Sequence, residues 1–244
     1  MKCIVLAADY QTRFYPLTKG TARPLLTIRG KPVIEYIVGK FQLLEEAEQI
    51  FIVTNRSFFR KIKVWLDNFA SLVPIKLIDD GSVNHKDRLG AIKDIAYVCD
   101  KENIDDDLLV IGSDNLFSSM LNGFVDFAKS LRPHNVIGTY VLNGKFKPDK
   151  FGMVKVDENK KIIDFIEKPA RLNGSTAVSM CLYFFPKEKL PLIKEYIKEA
   201  KSFEAAGNYI QWLTSKDTVY GYPFDGTWLD IGDADSYTEA VFTF

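Results

Sequence analysis

The first half of the chain alternates short apolar runs with stretches whose apolar positions recur at helical spacing, and this alternation constrains the fold most. Strands are predicted at 2–7, 49–54, 74–78 and 108–112, and helices at 32–47, 58–69, 88–98 and 121–131. Alternating strands and helices are typical of a mostly parallel sheet covered on both faces. The pattern therefore predicts an α/β fold with a Rossmann-like sheet flanked by helices.

The second half is richer in strands. They are predicted at 135–142, 152–156, 162–167 and 178–185, followed by helices at 187–201 and 209–213, two short strands and a closing helix at 233–242. A sheet that takes up such closely spaced strands is expected to be mixed. Because no Pro- or Ser-rich linker separates the halves, we predict one domain over 1–244, with lobes at about 1–134 and 135–244.

Composition excludes several classes of protein. The formal net charge is zero, which gives no global attraction to nucleic acid or to anionic membranes. No stretch approaches the roughly 20 apolar residues needed to cross a bilayer, and the short apolar run after Lys2 does not predict a signal peptide. The distant cysteines Cys3, Cys99 and Cys181 predict free thiols in a reducing compartment. We therefore predict a cytoplasmic protein without nucleic acid or membrane partners, and a homo-oligomer stays open.

Polar clusters follow three predicted strands, at 9–13, 112–115 and 167–169, and a fourth lies at 228–230. Ligands of open α/β sheets bind beyond the carboxyl ends of the strands, so the four clusters are expected to converge on one cleft. The first loop lacks the glycine patterns of Walker A and dinucleotide-binding loops, which argues against a dinucleotide-dependent oxidoreductase. Its arginines, Arg13 and Arg23, suit phosphate oxygens, although two solvated surface arginines would look the same.

Taken in order, these motifs resemble the sugar-1-phosphate nucleotidyltransferases, whose opening has the form LAAGxGTRLxPLT…PKPL…GKP. This chain reads LAADYQTRFYPLT at 6–18, ARPLL at 22–26 and GKP at 30–32. The resemblance continues through VIGSDN at 110–115, FGMV at 151–154, EKP at 167–169 and GTWLDIG at 226–232, and RLGAI at 88–92 stands where the family reads the nucleobase. It covers essentially the whole chain and is strongest to glucose-1-phosphate thymidylyltransferases without a C-terminal β-helix domain.

The resemblance implies a fold of the nucleotide-diphospho-sugar transferase type and a Mg²⁺-dependent reaction. A nucleoside triphosphate, with dTTP favoured, would react with a sugar 1-phosphate, with glucose 1-phosphate favoured, and UTP, CTP and other sugars stay open. The catalytic residues it implies are Arg13, Arg23, Asp114, Lys168 and Asp230, with Asp114 and Asp230 as the metal ligands. The substrate contacts it implies are Leu6, Ala8, Asp9, Gln11, Thr12, Arg88, Gly90, Asn115, Gly152, Glu167 and Trp228.

Most of these residues also suit ordinary structural roles. Asp114 before Asn115 is good turn chemistry, and Asp230 suits a helix cap or the surface. Glu167 and Lys168 would look the same as an exposed ion pair, and Trp228 would look the same as a core aromatic. The resemblance favours the functional role for the four charged residues, and Trp228 stays open between the two roles.

The sequence departs from the family pattern where catalysis is expected. Asp9 and Gln11 replace glycines, Arg23 replaces a lysine and Ser113 replaces a glycine. Two like charges about 5 Å apart repel by about 3 kcal/mol at an effective dielectric of about 20, so Asp9 predicts weaker triphosphate binding unless it points away or joins a metal shell. The alternative function is therefore a catalytically weakened homologue that binds a nucleotide or sugar phosphate as a regulatory protein.

Overall fold

A computed structural model describes residues 1–10, 21–142, 147–171, 177–200, 203 and 205–244. The strands are β1 (Lys2–Ala7), β2 (Thr27–Ile28), β3 (Lys31–Pro32), β4 (Gln49–Thr54), β5 (Ile75–Asp79), β6 (Leu108–Gly112), β7 (Asn115–Phe117), β8 (Asn135–Val141), β9 (Gly152–Val156), β10 (Ile162–Glu167), β11 (Ala177–Phe185), β12 (Val219–Phe224) and β13 (Trp228–Asp230). The helices are α1 (Val33–Phe41), α2 (Arg56–Leu66), α3 (Ala91–Glu102), α4 (Asn122–Ser130), α5 (Pro191–Glu199), α6 (Ala206–Lys216) and α7 (Ala234–Thr243). Short 3-10 turns lie at Arg23–Leu25, Pro148–Lys150 and Lys187–Lys189.

Within the described residues, nine strands form one mixed sheet. The strands β10, β9, β11, β6, β1, β4 and β5 lie side by side in that order, and β8 and β12 extend from β11. The strands β6, β1, β4 and β5 are parallel, whereas β11 runs antiparallel to β6, β8 and β9. The α/β fold with a mixed sheet flanked by helices is therefore confirmed.

The sheet is covered on both faces because its strands are apolar on both sides. In β1, Cys3 and Val5 point into a cluster that also contains side chains of α1, α2 and α4. Ile4 points into the opposite cluster, which contains side chains of α3, α5 and α6. This alternation follows from the two-residue period of a strand, and it explains why the buried strands look like unbroken apolar runs in the sequence.

Long apolar runs were predicted more accurately than short elements. The strands β1, β4, β6, β9 and β10 have the predicted bounds. The predicted helix at 32–47 ends at Phe41, and the one at 187–201 divides into a 3-10 turn and α5, which begins at Pro191. The strands β2, β3 and β7 were not predicted, since two or three residues show no periodicity. Among the described helices, none is long and apolar enough to cross a membrane.

A buried carboxylate lies in the first turn of α3, which begins after Gly90 at a φ of 89°. Asp94 is 4% exposed and its Oδ1 has no hydrogen-bond partner among the described residues. It also contacts Asp80, which accepts hydrogen bonds from the amide and the hydroxyl of Ser82 at 2.7 and 2.8 Å. Burial, followed by the charge of Asp80, raises the pKa of Asp94 well above its usual value.

The substitution Asp94→Asn is expected to stabilise the protein at neutral pH. A carboxyl whose pKa is raised by folding stabilises the fold below its unfolded pKa, and this contribution is lost as the pH rises. Asparagine keeps the shape and avoids burying a charge, so the variant should be more stable at pH 7 by about 1–3 kcal/mol. Urea unfolding between pH 4 and 8 measures this, and a stability difference that does not shrink toward about pH 4 would contradict it.

Candidate active site at the carboxyl ends of the strands

A buried arginine connects the ends of three strands. Arg23 lies in a 3-10 turn, is 8% exposed, and its Nη2 is 2.7 Å from Asp9 Oδ2 and 3.2 Å from Asp114 Oδ2. Its Nη1 donates a hydrogen bond of 3.1 Å to the carbonyl of Ile231. Asp9 follows β1, Asp114 follows β6 and Ile231 follows β13, so one guanidinium cross-links three segments that are distant in the chain.

The electrostatic environment of Arg23 is dominated by carboxylates. Burial alone would lower the pKa of Arg23, but the charges of Asp114, then Asp9 and then Asp230 raise it above its usual value. The sequence left open how the charge of Asp9 is accommodated, and the structure gives that charge an arginine partner. Asp9 is paired with a guanidinium, which opposes the repulsion that a lone carboxylate would exert on a phosphate.

A small ribbon brings the two predicted metal ligands together. Strands β7 and β13 pair antiparallel, with Asp230 opposite Asn115, and the amide of Ile231 donates a 2.9 Å hydrogen bond to the carbonyl of Asp114. This register places the carboxyl groups of Asp114 and Asp230 in contact. Two acidic residues that are far apart in the sequence thus lie close together in the fold.

The acidic pair carries a charge that the protein neutralises only in part. Burial and then the charge of Asp114 raise the pKa of Asp230 to about 7, while Arg23 and Lys168 act in the opposite direction. Carboxylate oxygens are the ligands that Mg²⁺ prefers, and a divalent cation between them would relieve the repulsion. No group of three or more His, Cys, Asp or Glu side chains that could hold a metal occurs among the described residues. Two carboxylates alone would leave the other coordination positions of a Mg²⁺ ion to water or phosphate.

Glu167 and Lys168 lie where β10 ends, beside this site. The Lys168 Nζ is 3.8 Å from the Glu167 carboxylate, and its charge acts on Asp230. Burial raises the pKa of Glu167, and Lys168 opposes this effect. Lys168 has a φ of 46°, a left-handed conformation that is uncommon for residues other than glycine and that is often found at functional sites.

Two glycines leave room for the Glu167 carboxylate, and a glutamine accepts a hydrogen bond from the Glu167 backbone. A Cβ built at Gly207 would lie 1.8 Å from the Glu167 carboxylate, and one at Gly152 would lie 2.8 Å from it. The side-chain carbonyl of Gln211 accepts a 2.9 Å hydrogen bond from the Glu167 amide. Sequence reasoning found Gly152 but missed Gly207 and Gln211, because their proximity to Glu167 depends on how α6 packs against β10.

Cys181 is a further residue that the sequence analysis did not place in the site. It has a φ of 52° within β11, where the pairing with β8 shifts register. A Cβ added at Gly112 would lie 2.8 Å from Asp114 Oδ1 and 3.0 Å from the Cys181 sulfur, so both side chains approach this glycine closely. Burial, followed by the charge of Asp114, raises the pKa of Cys181 to about 12, which keeps the thiol protonated.

Trp228 and Asn115 form a buried support under the acidic pair. The Trp228 indole N–H donates a 2.7 Å hydrogen bond to Asn115 Oδ1, and the two residues are 6% and 2% exposed. Trp228 also packs against the rings of Tyr140 and Phe151. Substrate contact by these two residues stays a prediction, while their mutual bond across β7 and β13 is a feature of the fold.

The other predicted substrate contacts lie around the strand ends or outside the described residues. Leu6 is half-buried at the end of β1, and Ala8 is buried, with its carbonyl accepting a 3.0 Å hydrogen bond from the Asn55 side chain. Arg88, which lies two residues before Gly90, is half-buried and contacts the ring of His85. The predicted residues Gln11, Thr12 and Arg13 lie outside the described residues.

The fold is shared with a solved sugar-nucleotide enzyme. A Bacillus anthracis chain provisionally named a glucose-1-phosphate thymidylyltransferase aligns with a TM-score of 0.81 at 23% identity, covering 99% of this chain and 94% of that chain. The architecture is therefore that of the nucleotide-diphospho-sugar transferases, as predicted. A family model described as nucleotidyl transferase matches residues 2–243, and the chain belongs to this family.

Two curated relatives to which the chain is similar are longer than the chain. The bifunctional protein GlmU of Methanocaldococcus jannaschii is 26% identical over 232 residues, which cover 95% of this chain and 51% of that protein. The UTP–glucose-1-phosphate uridylyltransferase of Synechocystis sp. is 27% identical over 254 residues, which cover 99% of this chain and 62% of that protein. The chain thus spans about half to three-fifths of the length of these relatives.

The substitution Trp228→Phe is expected to destabilise the fold by about 1–3 kcal/mol, because it leaves the buried Asn115 oxygen without its donor. The matched control is Trp212→Phe, which removes a 2.9 Å indole bond to the more exposed Glu199 and should cost less than about 1 kcal/mol. Chemical unfolding of both variants measures the difference, and equal losses would contradict a special role for the buried pair.

Proposed function

We propose that this chain catalyses the Mg²⁺-dependent transfer of a nucleotidyl group from a nucleoside triphosphate to a sugar 1-phosphate. The observation that carries this proposal is the contact between Asp114 and Asp230 beside Arg23 and Lys168, in a member of the nucleotidyl transferase family. Two acidic groups that share a site with two cations suit a reaction in which anions must be brought together.

The reaction joins two phosphates and releases a third group. A phosphate oxygen of the sugar 1-phosphate forms a bond to the α-phosphorus of the triphosphate, and the bond from that phosphorus to the oxygen bridging the β-phosphorus breaks. Pyrophosphate leaves with the electron pair of the broken bond, and the product is a nucleoside diphosphate sugar. Because like charges repel along this path, the protein must neutralise charge and align the groups.

The charged residues divide this task. Asp114 and Asp230 would hold Mg²⁺, which when bound would neutralise the phosphates. Arg23 would offer a fixed fork of donors to phosphate oxygens, which a lysine cannot match. Lys168 would bind the sugar phosphate, and Glu167, held between two glycines, would accept hydrogen bonds from sugar hydroxyls. Arg13 is proposed for the triphosphate by family resemblance alone.

The favoured substrates are dTTP and glucose 1-phosphate, on the resemblance of the motifs. The curated relative from Synechocystis sp. is named for UTP and glucose 1-phosphate, so other bases and sugars belong in any test. The alternative is a catalytically weakened homologue that binds a nucleotide or sugar phosphate as a regulatory protein, because Asp9, Gln11 and Arg23 depart from the family motif. The ion pair between Asp9 and Arg23 offsets the charge of one of these departures and supports the enzyme. A cytoplasmic location and homo-oligomerisation stay predictions.

A substrate panel tests the proposed activity. The full chain is incubated with Mg²⁺, four nucleoside triphosphates and several sugar 1-phosphates, and pyrophosphate release is measured for each pair. At least one pair should give release that requires both substrates and stops with EDTA. Binding of nucleotide or sugar phosphate without release from any pair would favour the regulatory alternative.

The acidic pair is tested in the same assay. Asp114→Asn and Asp230→Asn should each lower kcat/KM by about 100-fold or more, because each removes a charged metal ligand. The control is Asp233→Asn, since Asp233 caps α7 and pairs with Lys150 at 2.5 Å, and asparagine also caps helices. Turnover near that of the unsubstituted protein in either test variant would remove that residue from the mechanism.

The position of Glu167 is tested by Gly207→Ala. The added methyl group would occupy the place of the Glu167 carboxylate, which can swing away at the end of a flexible side chain, and alanine favours the helix by about 0.5–1 kcal/mol. The fold should therefore persist while KM for the sugar 1-phosphate rises about tenfold and KM for the triphosphate changes little. An unchanged KM for the sugar phosphate would exclude Glu167 from that site.

A further inference from the structure

The contacts of Arg23 show a cation already seated on one of the predicted metal ligands. Its Nη2 lies between Asp9 at 2.7 Å and Asp114 at 3.2 Å, and the side chain is 9% exposed. The charge of Asp230 also acts on this guanidinium, in addition to the two carboxylates that contact it. A divalent ion bound by Asp114 and Asp230 would compete with Arg23 for the carboxylate of Asp114.

We propose that Arg23 balances the charge of the acidic pair when no divalent ion is bound, and that the divalent ion takes its place on Asp114. Asp9 is the positioning residue that keeps Arg23 paired during this exchange. The proposal rests on the proposed function for the identity of the metal ligands. It assigns a role to the aspartate that replaces the first loop glycine of the family pattern.

The need for Asp9 follows from burial. A guanidinium stays charged at all accessible pH values, and leaving it buried without a carboxylate is unfavourable. When the ion takes Asp114, Arg23 can keep its shorter contact to Asp9 and its hydrogen bond to the Ile231 carbonyl. Without Asp9, Arg23 would keep its contact with Asp114 as its remaining carboxylate partner. The ion would then have to displace Arg23 from Asp114, which would weaken ion binding.

Arg23 also has an N–H donor that is not used in a hydrogen bond among the described residues. Its Nε is buried and has no hydrogen-bond partner within the part of the chain that the structure describes. Nη2 is shared by two carboxylates, so release from Asp114 leaves the contact with Asp9 intact and frees part of the fork. A guanidinium held from one side by Asp9 can then offer its remaining donors to a phosphate oxygen.

A double-mutant cycle on ion binding tests the exchange without measuring catalysis. The affinity of the full chain for Mn²⁺ alone is measured by electron paramagnetic resonance for the unsubstituted protein, Asp9→Asn, Arg23→Gln and the double variant. Asp9→Asn should weaken Mn²⁺ binding about tenfold when Arg23 is present and less than about twofold when it is absent. Asp233→Asn controls for the loss of one nearby negative charge and should change the affinity less than about twofold.

The cycle separates failure of this proposal from failure of the proposed function. An equal effect of Asp9→Asn in both backgrounds would mean that Asp9 acts on the ion directly, and no effect in either would mean that it does not act at all. Both results overturn the exchange and leave the acidic pair intact. Mn²⁺ binding that survives Asp114→Asn and Asp230→Asn unchanged would overturn the metal site as well.

A spectroscopic measurement covers the case in which Arg23→Gln does not fold. The Nε–H resonance of Arg23 is assigned in ¹⁵N-labelled protein by its absence from the spectrum of Arg23→Lys and is followed during a Mg²⁺ titration. The resonance should shift in the unsubstituted protein and not in Asp114→Asn, because only in the unsubstituted protein does Mg²⁺ displace Arg23 from Asp114. A resonance that is unaffected by Mg²⁺ in the unsubstituted protein would overturn the exchange.

Discussion

The burial of one guanidinium among carboxylates is the constraint on which the site depends. Arg23 must have acidic partners to stay charged out of water, and Asp9 and Asp114 must have a cation to lie so close together. A buried guanidinium without carboxylates, or two close carboxylates without a cation, would destabilise the fold. Together they fix the relative positions of three strand ends. The same arrangement that holds the site together also keeps a positive charge beside the place proposed for the phosphates.

The sheet provides the scaffold for this arrangement because its central strands are parallel. Strands β1 and β6 end at the same edge, so the residues that follow them, Asp9 and Asp114, meet without long loops. The short ribbon of β7 and β13 then adds Asp230 from the far end of the sequence. Antiparallel strands β9, β10 and β11 complete the mixed sheet and bring Glu167 and Cys181 to the same edge.

What the sequence predicted well were features with a local signal. The apolar run Lys2–Ala7 and the motif around Asp114 are readable without knowing what surrounds them. The partner of Asp9, the ribbon that aligns Asp230, and the glycine beside Glu167 are tertiary facts. No periodicity marks a three-residue strand, and no propensity shows that a charged residue in a loop will find a buried arginine. The sequence therefore pointed to the residues of the candidate site but could not show which cation pairs with Asp9.

The register of β7 with β13 also has a consequence for how the protein is made. Residue 114 leaves the ribosome long before residue 230, and β7 has no ribbon partner until β13 is synthesised. During this interval the nascent chain holds Arg23, Asp9 and Asp114 but lacks the second carboxylate. The acidic pair can thus form only after β13 has been synthesised and has paired with β7.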